Sequence, residues 1–196
     1  MKNLLIVLTT ILLVGSASAQ RCNKTPGTGP DPALAPSWNK LMKAADAVRG
    51  AKTPQSSAEA WFRLNLMADQ FAEALNHVSS AKADEDPEDC AEVALGAGAM
   101  GVPLIFCAYS EQWVAGNEGY LIYHQFYPGG PRAEDAWWFG KLGNKSQNCA
   151  DYEGTKDEGE YYAPLYRDFL RHFPSGKHAS EAKELLKGFE DQARMK

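Results

Sequence analysis

The amino-acid sequence predicts an all-α fold, in which antiparallel helix hairpins stack as a short α-solenoid. Three observations lead to this prediction. Apolar residues recur three and four positions apart, Val and Ile are too sparse for a sizeable sheet, and one stretch repeats another at an offset of 46 residues. The chain has 196 residues, of which 44% are hydrophobic and 23% are charged, so it is long enough for one such domain.

The first 19 residues have the pattern of a secretory signal peptide. Lys2 provides a positive start, an apolar run covers Leu4–Val14, and Ala17 and Ala19 are the small residues that signal peptidase recognises. An uncleaved membrane anchor is the alternative, but eleven residues make a helix of only about 17 Å, against a bilayer core of about 30 Å. We therefore expect a mature chain that begins at Gln20, is periplasmic or secreted, and does not insert stably into a membrane.

The mature chain is predicted to comprise a flexible lead, residues 20–36, and a helical repeat domain, residues 37–196. Pro and Gly are frequent in the lead. Ser37 has the residue type of a helix N-cap, and the helix that follows it ends at Gly50. A second helix is predicted from Ser56 or Ser57 to Val78.

Further helices are expected after an acidic turn at residues 84–89. An Ala/Gly-rich run from Cys90 to Gly101 comes first, and Pro103 then opens another segment that we also expect to be helical. The remaining helices are predicted at Tyr120–Tyr127, at Ala133–Leu142, at Glu158–Phe173 and from Ala179 onward.

The internal repeat places Pro128 over Pro174. In each copy, aromatic residues three and four apart precede the proline, and alanines three apart follow it. The matched pairs are Tyr120 with Tyr166, Tyr123 with Phe169, Tyr127 with Phe173, Ala133 with Ala179, Ala136 with Ala182, and Phe139 with Leu185. These residues are expected in the core, because both copies must pack in the same way. A third copy at Pro54–Leu64 stays open, since its alignment needs a two-residue gap.

The segment YRDFLRHFP, from Tyr166 to Pro174, together with Ala179 and Ala182, resembles the tetratricopeptide-like repeats of bacterial envelope proteins. Outer-membrane assembly lipoproteins and cell-division coordinator proteins are the most similar groups. The resemblance is good over residues 158–186, fair over 119–142 and faint elsewhere. It implies a right-handed helical solenoid that holds a protein or peptide partner in the envelope and performs no chemistry.

The four cysteines of an exported protein indicate disulfides, since no two of them lie close enough for a zinc site and no CxxC motif occurs. Three pairings are conceivable. We rank Cys107 with Cys149 and Cys22 with Cys90 first, because antiparallel stacking returns the end of the Ala133–Leu142 helix to the segment opened by Pro103. A bond between Cys90 and Cys107 stays open if the chain breaks at residues 101–103.

Motifs for cofactors, metals and nucleic acid are weak. Gly96, Gly98 and Gly101 fit GxGxxG, but no βαβ pattern surrounds them, so close helix packing is the preferred interpretation. The acidic clusters at residues 84–89 and 151–160 are typical of solvated helix starts rather than of calcium loops. A net charge of −5 without a basic run argues against a nucleic-acid partner. We expect no cofactor and no metal.

Two functions are compatible with the sequence. The first is a non-catalytic exported scaffold that binds a protein or peptide partner in a helical groove, with Trp137, Trp138 and Trp113 as the candidate contact residues. The alternative role for Trp137 and Trp138 is burial under the helix Glu158–Phe173.

The second function is a small secreted enzyme, a hydrolase, with its site in the aromatic-rich middle of the chain. Glu111, Glu118 and His124 are the only acid and base candidates there. Their spacing matches no catalytic motif, so the scaffold is preferred.

Overall fold

The computed structural model describes residues 31–80, 90–107, 110–143 and 156–194. These residues are mostly helical, as predicted. The helices are α1 (Ala35–Gly50), α2 (Pro54–Ser80), α3 (Ala91–Gly98), α4 (Glu118–Phe126), α5 (Ala133–Trp137), α6 (Lys156–His172) and α7 (Ala179–Ala193). Two strands, β1 (Leu104–Cys107) and β2 (Gln112–Ala115), form an antiparallel pair. None of the helices described is long and apolar enough to cross a bilayer.

Helix α1 begins earlier than the sequence predicts. Leu34 is the N-cap residue, Pro36 lies in the first turn, and the hydroxyl of Ser37 donates to the carbonyl of Leu34. Leu34 is fully buried. The folded domain therefore includes residues that we had assigned to the lead, because an apolar residue just before the helix packs into the core.

A reciprocal pair of hydrogen bonds fixes the start of α2. Thr53 Oγ1 accepts from the Ser56 amide at 3.1 Å, and Ser56 Oγ accepts from the Thr53 amide at 3.0 Å. This is the capping-box arrangement with Ser56 in the place of the usual Glu or Gln, and it satisfies two amides that the first turn leaves unpaired. Helix α2 then packs on α1, with the rings of Trp38 and Phe71 5.5 Å apart.

The prediction of a helix after Pro103 is wrong. This segment forms the β1–β2 hairpin instead. Helix α3 ends at Gly98, and Gly101 takes a φ of 120°, which favours glycine and turns the chain out of the helix. The strands that follow pair Ile105 with Val114 and Phe106 with Trp113. β-Branched and aromatic residues of this kind favour a pleated surface over a helix.

Helix α5 continues from Trp138 to Leu142 as a π-helical turn, so the predicted helix Ala133–Leu142 is present with a change of hydrogen bonding. The Gly143 amide, for example, donates to the carbonyl of Trp138. Helices α6 and α7 form the last hairpin, within two residues of the predicted limits.

The repeat correctly predicts most of the core residues that it pairs. Eight of the twelve are buried, namely Tyr120, Tyr123, Ala133, Ala136, Tyr166, Phe169, Ala179 and Ala182. Tyr127, Phe173 and Leu185 are partly buried. Phe139 is 40% exposed, so its assignment to the core is wrong. The π-helical turn that begins one residue earlier changes the angle between successive side chains and takes Phe139 out of the α-helical stripe.

Candidate functional site

Two joints between successive hairpins are built from the same kinds of contact. We call the contact of α2 with the α4–α5 hairpin the first joint, and the contact of the α5 π-helical turn with the α6–α7 hairpin the second joint. In the first joint, the ring of Phe62 lies edge-on to Tyr120 and Tyr123, at 5.0 and 5.5 Å. The second joint repeats this packing.

In the second joint, the Trp138 ring lies edge-on to Tyr166 and Phe169, at 6.0 and 5.3 Å. Tyr166 and Phe169 are the repeat partners of Tyr120 and Tyr123. Trp138 therefore occupies in the second joint the place that Phe62 occupies in the first.

A cationic or polar residue at the corner of each hairpin completes the joint. The Arg132 guanidinium lies 5.0 Å from the centre of the Phe62 ring, and its Nε donates to Glu59 Oε2 at 3.0 Å. At the equivalent corner, the His178 ring stacks on Trp138, with centroids 4.5 Å apart. Its Nε2 lies 3.0 Å from Asp135 Oδ1.

Each preceding helix thus presents an acid and, three residues later, an aromatic ring to the corner of the next hairpin. The pairs are Glu59 with Phe62 and Asp135 with Trp138. Residues three apart share one helix face, so both groups of a pair reach the same corner residue.

The joints align the third repeat copy at an offset that differs from 46. Phe62 and Trp138 are 76 residues apart, whereas Tyr123 and Phe169 are 46 apart. The first joint therefore holds 30 additional residues between its two sides. Helix α3 and the β1–β2 hairpin lie in this interval.

Polar groups in the joints bond to one another. The Tyr123 hydroxyl donates to Glu59 Oε1 at 3.1 Å and accepts from the Arg132 amide at 3.0 Å, and burial raises the pKa of Tyr123 to about 12. Burial acts to raise the pKa of the Asp135 carboxyl, but hydrogen bonds from Lys177 and His178 outweigh it, so this pKa lies below its ordinary value. These groups therefore stabilise the hairpin corners.

The candidate acids and base of the enzyme hypothesis do not converge. Glu111 lies in the turn between β1 and β2, and Glu118 is the first residue of α4. His124 is six residues further along the same helix, which places it about 9 Å away along the axis and about 240° around it. No group of three or more His, Cys, Asp or Glu side chains in the described residues is arranged to hold a metal ion.

His124 instead packs against Trp137. The two rings are 4.7 Å apart, the His172 ring lies 4.5 Å from Trp137, and Lys141 Nζ lies 4.0 Å above the indole. Burial lowers the pKa of His124, and the nearby Lys141 and His172 lower it further, whereas Asp168 opposes the shift. The site therefore favours the neutral imidazole.

The tryptophans expected to contact a partner lie mainly in the interior. Trp113 is 6% exposed and Trp137 is 4% exposed. Trp138 is partly buried against α6. Trp137 and Trp138 lie under the following helix, α6, which is the alternative role considered for them. A partner surface must therefore include other residues.

Two exposed apolar side chains come from the two elements that meet at Gly140, where α4 contacts the π-helical turn. Leu121 of α4 is 39% exposed and Phe139 is 40% exposed. Gly140 brings their helices together, since a Cβ built on it would lie 3.1 Å from Tyr120 Cβ and 3.4 Å from Leu121 Cδ2. We call Leu121 and Phe139 the apolar patch. The sequence repeat does not predict the apolar patch, because it assigns no role to Leu121 and places Phe139 in the core.

Two of the three glycines of the GxGxxG segment face tryptophan rings, and the third, Gly98, faces the backbone of Pro103. A Cβ on Gly96 would lie 3.2 Å from Trp38 Cη2, and one on Gly101 would lie 2.9 Å from Trp61 Cη2. Because such close contacts leave no space for a larger residue, these glycines serve the helix packing preferred from the sequence.

Cys90 and Cys107 are buried, and neither is a free thiol. Cys22 and Cys149 lie outside the described residues, as does the acidic cluster at residues 84–89, so the pairing stays a prediction. Comparisons of the chain with protein-family models, with curated proteins and with solved structures found no match.

Proposed function

We propose that the protein is a non-catalytic exported scaffold, in which three helix hairpins stack as a tetratricopeptide-like array and bind a protein or peptide partner. The hairpins are α1–α2, α4–α5 and α6–α7. The observation that carries the proposal is the recurrence of one contact set, an acid and an aromatic ring against a corner residue, at two successive joints. Stacked repeats of this kind provide an extended surface for partners.

The apolar patch is the proposed partner contact. Leu121 and Phe139 come from two elements of one hairpin, so a partner that covers both also spans the hairpin. Exposed apolar side chains that lie together favour protein contacts more than single exposed ones do. The secreted hydrolase has no comparable support, because its acids and base lie apart.

The experiment is affinity purification from the native cell, with the patch changed to Leu121→Asp and Phe139→Asp. We expect the wild type to capture one partner in stoichiometric amount and the patch variant to lose it. Leu95→Asp is the matched control, since Leu95 is 74% exposed on α3 and lies outside the patch. All three proteins should melt within a few degrees of one another.

Equal recovery of a partner by the wild type and the patch variant would refute the apolar patch as its contact. If no protein is recovered in stoichiometric amount with the wild type, the scaffold function itself fails.

A further inference from the structure

Helix α2 holds a stretch of the chain's own backbone through side-chain amides. Asn76 Nδ2 donates to the Trp113 carbonyl at 2.9 Å, and Asn76 Oδ1 accepts from the Trp113 amide at 2.7 Å. One asparagine thereby satisfies both backbone groups of one residue, in the way that a neighbouring strand would.

A second asparagine of α2 holds the chain a few residues further on. Asn65 Nδ2 donates to the Gly116 carbonyl at 2.9 Å, and Asn65 Oδ1 accepts from the Gly119 amide at 2.9 Å. Asn65 is fully buried and is the only polar or charged residue classed as buried in the described part of the chain. A buried amide is costly unless its bonds are made, so these contacts are a specific device of the fold.

The two asparagines lie on one face of α2. Eleven residues separate them, which corresponds to about 16.5 Å along the helix and to only about 20° around it. The held backbone runs from Trp113 to Gly119 while the helix contacts run from Asn76 back to Asn65, so the segment lies antiparallel to α2. Strand β2 pairs with β1, and Asn76 bonds the outward-facing backbone groups of Trp113.

Side chains add selectivity to these backbone bonds. Trp113 and Ala115 are buried and alternate with the more exposed Gln112 and Val114. Trp113 packs in the same apolar cluster as Phe71 and Leu75 of α2. Backbone bonds with pockets for alternate side chains are the recognition mode of an extended peptide.

Gly119 adds a further requirement. A Cβ at this position would meet the backbone carbonyl oxygen of Trp61 and would lie 2.9 Å from Asn65 Cβ. Only glycine lets the end of the segment approach α2 this closely.

We propose that this face of α2 is a receptor for a peptide that is extended over its first four residues and enters a helical turn at its end, and that the chain fills it in cis with its own residues 112–119. The peptide that it takes carries a tryptophan, a small residue two positions later and a glycine six positions after the tryptophan. A partner segment of this chemistry binds by displacing the cis segment. The proposal uses only the contacts of α2 with residues 112–119 and does not depend on the apolar patch.

The test uses a labelled peptide with the sequence of residues 111–119, EQWVAGNEG, and the full chain. Trp113→Ala weakens the cis segment and opens the site of the indole. We expect the peptide to bind Trp113→Ala at least tenfold more tightly than the wild type, as measured by fluorescence anisotropy. A peptide with alanine in place of the tryptophan should bind at least tenfold more weakly, and Asn76→Ala in the Trp113→Ala background should reduce binding similarly.

Trp113→Phe is the second variant, to be used if Trp113→Ala does not fold. It leaves an aromatic ring in the core. Its affinity for the peptide should lie above that of the wild type. The proposal is overturned if the wild type and the folded variants bind the peptide equally, if none of the folded variants binds it, or if the alanine peptide binds as well as the tryptophan peptide.

Discussion

The imidazole of His178 lies parallel to the indole of Trp138, with 4.5 Å between ring centroids and 4° between planes. At the preceding joint, the Arg132 guanidinium lies over Phe62. The two pairs differ in every residue and keep the same arrangement of a helix aromatic under a corner residue. Both pairs place a planar, nitrogen-bearing group over an aromatic ring, so the packing keeps one physical role at both corners.

Replacement of Trp138 by alanine should destabilise the protein. Trp138 packs against Tyr166, Phe169 and His178, so its loss leaves a cavity in the second joint. We expect a loss of about 3 kcal/mol in the free energy of unfolding, measured by urea denaturation. Phe139→Ala, at the next and more exposed position, is the control and should cost less than about 1 kcal/mol. Equal effects of the two changes would contradict the packing described for Trp138.

Gly119→Ala should prevent the close approach of α4 to α2. The added methyl group would meet the Trp61 carbonyl oxygen, which is fixed in the helix backbone. We expect a loss of about 2 kcal/mol or more in the free energy of unfolding, since overpacking against backbone cannot relax easily. Gly129→Ala has no heavy atom within 4 Å of the new methyl and should change the stability little. A harmless Gly119→Ala would show that the two helices are further apart.

The stability should fall as the pH is lowered through the titration range of histidine. Burial, Lys141 and His172 hold the pKa of His124 below its ordinary value of 6.5, so the unfolded chain binds this proton more readily than the folded one. The free energy of unfolding therefore decreases from about pH 7.5 to about pH 5.5.

His124→Phe keeps a ring against Trp137 and removes the titrating group, so it should flatten this pH dependence in denaturation curves taken across the range. Gln125→Ala, at an exposed position of the same helix, removes no titrating group and should leave the slope of the wild type unchanged. A slope that is the same in His124→Phe and the wild type would assign the effect to other groups.

Peptide mapping without reduction should recover Cys107 linked to Cys149 and Cys22 linked to Cys90. Four free thiols in exported protein would contradict the disulfide prediction, and a link between Cys90 and Cys107 would contradict this pairing.

The intact mass of the exported protein should correspond to a chain that begins at Gln20. This prediction follows from the short apolar run and the small residues before the cleavage position. Export with residues 1–19 retained would identify the segment as an anchor.

Local patterns predict the observed helices and much of the core, but they also predict a helix where the β1–β2 hairpin forms. The stripes in α1 and α2 and the aromatic residues of the repeat follow the helical period, so Tyr123 and Phe169 were correctly placed in the interior. The sequence predicts the start of α1 less accurately. Leu34 begins this helix because it packs into the core, and it makes no side-chain capping bond that a sequence pattern could indicate.

By itself, the sequence determined the mainly helical class and the pairing of Tyr120–Ala136 with Tyr166–Ala182, because periodicity is a local property of the chain. Only the tertiary structure decided that Phe62 is the counterpart of Trp138, since 30 additional residues hide the correspondence. The same is true of Asn65 and Asn76, which resemble ordinary polar positions in a helical sequence. Their partners lie 37 to 54 residues away along the chain, and only the folded backbone brings them together.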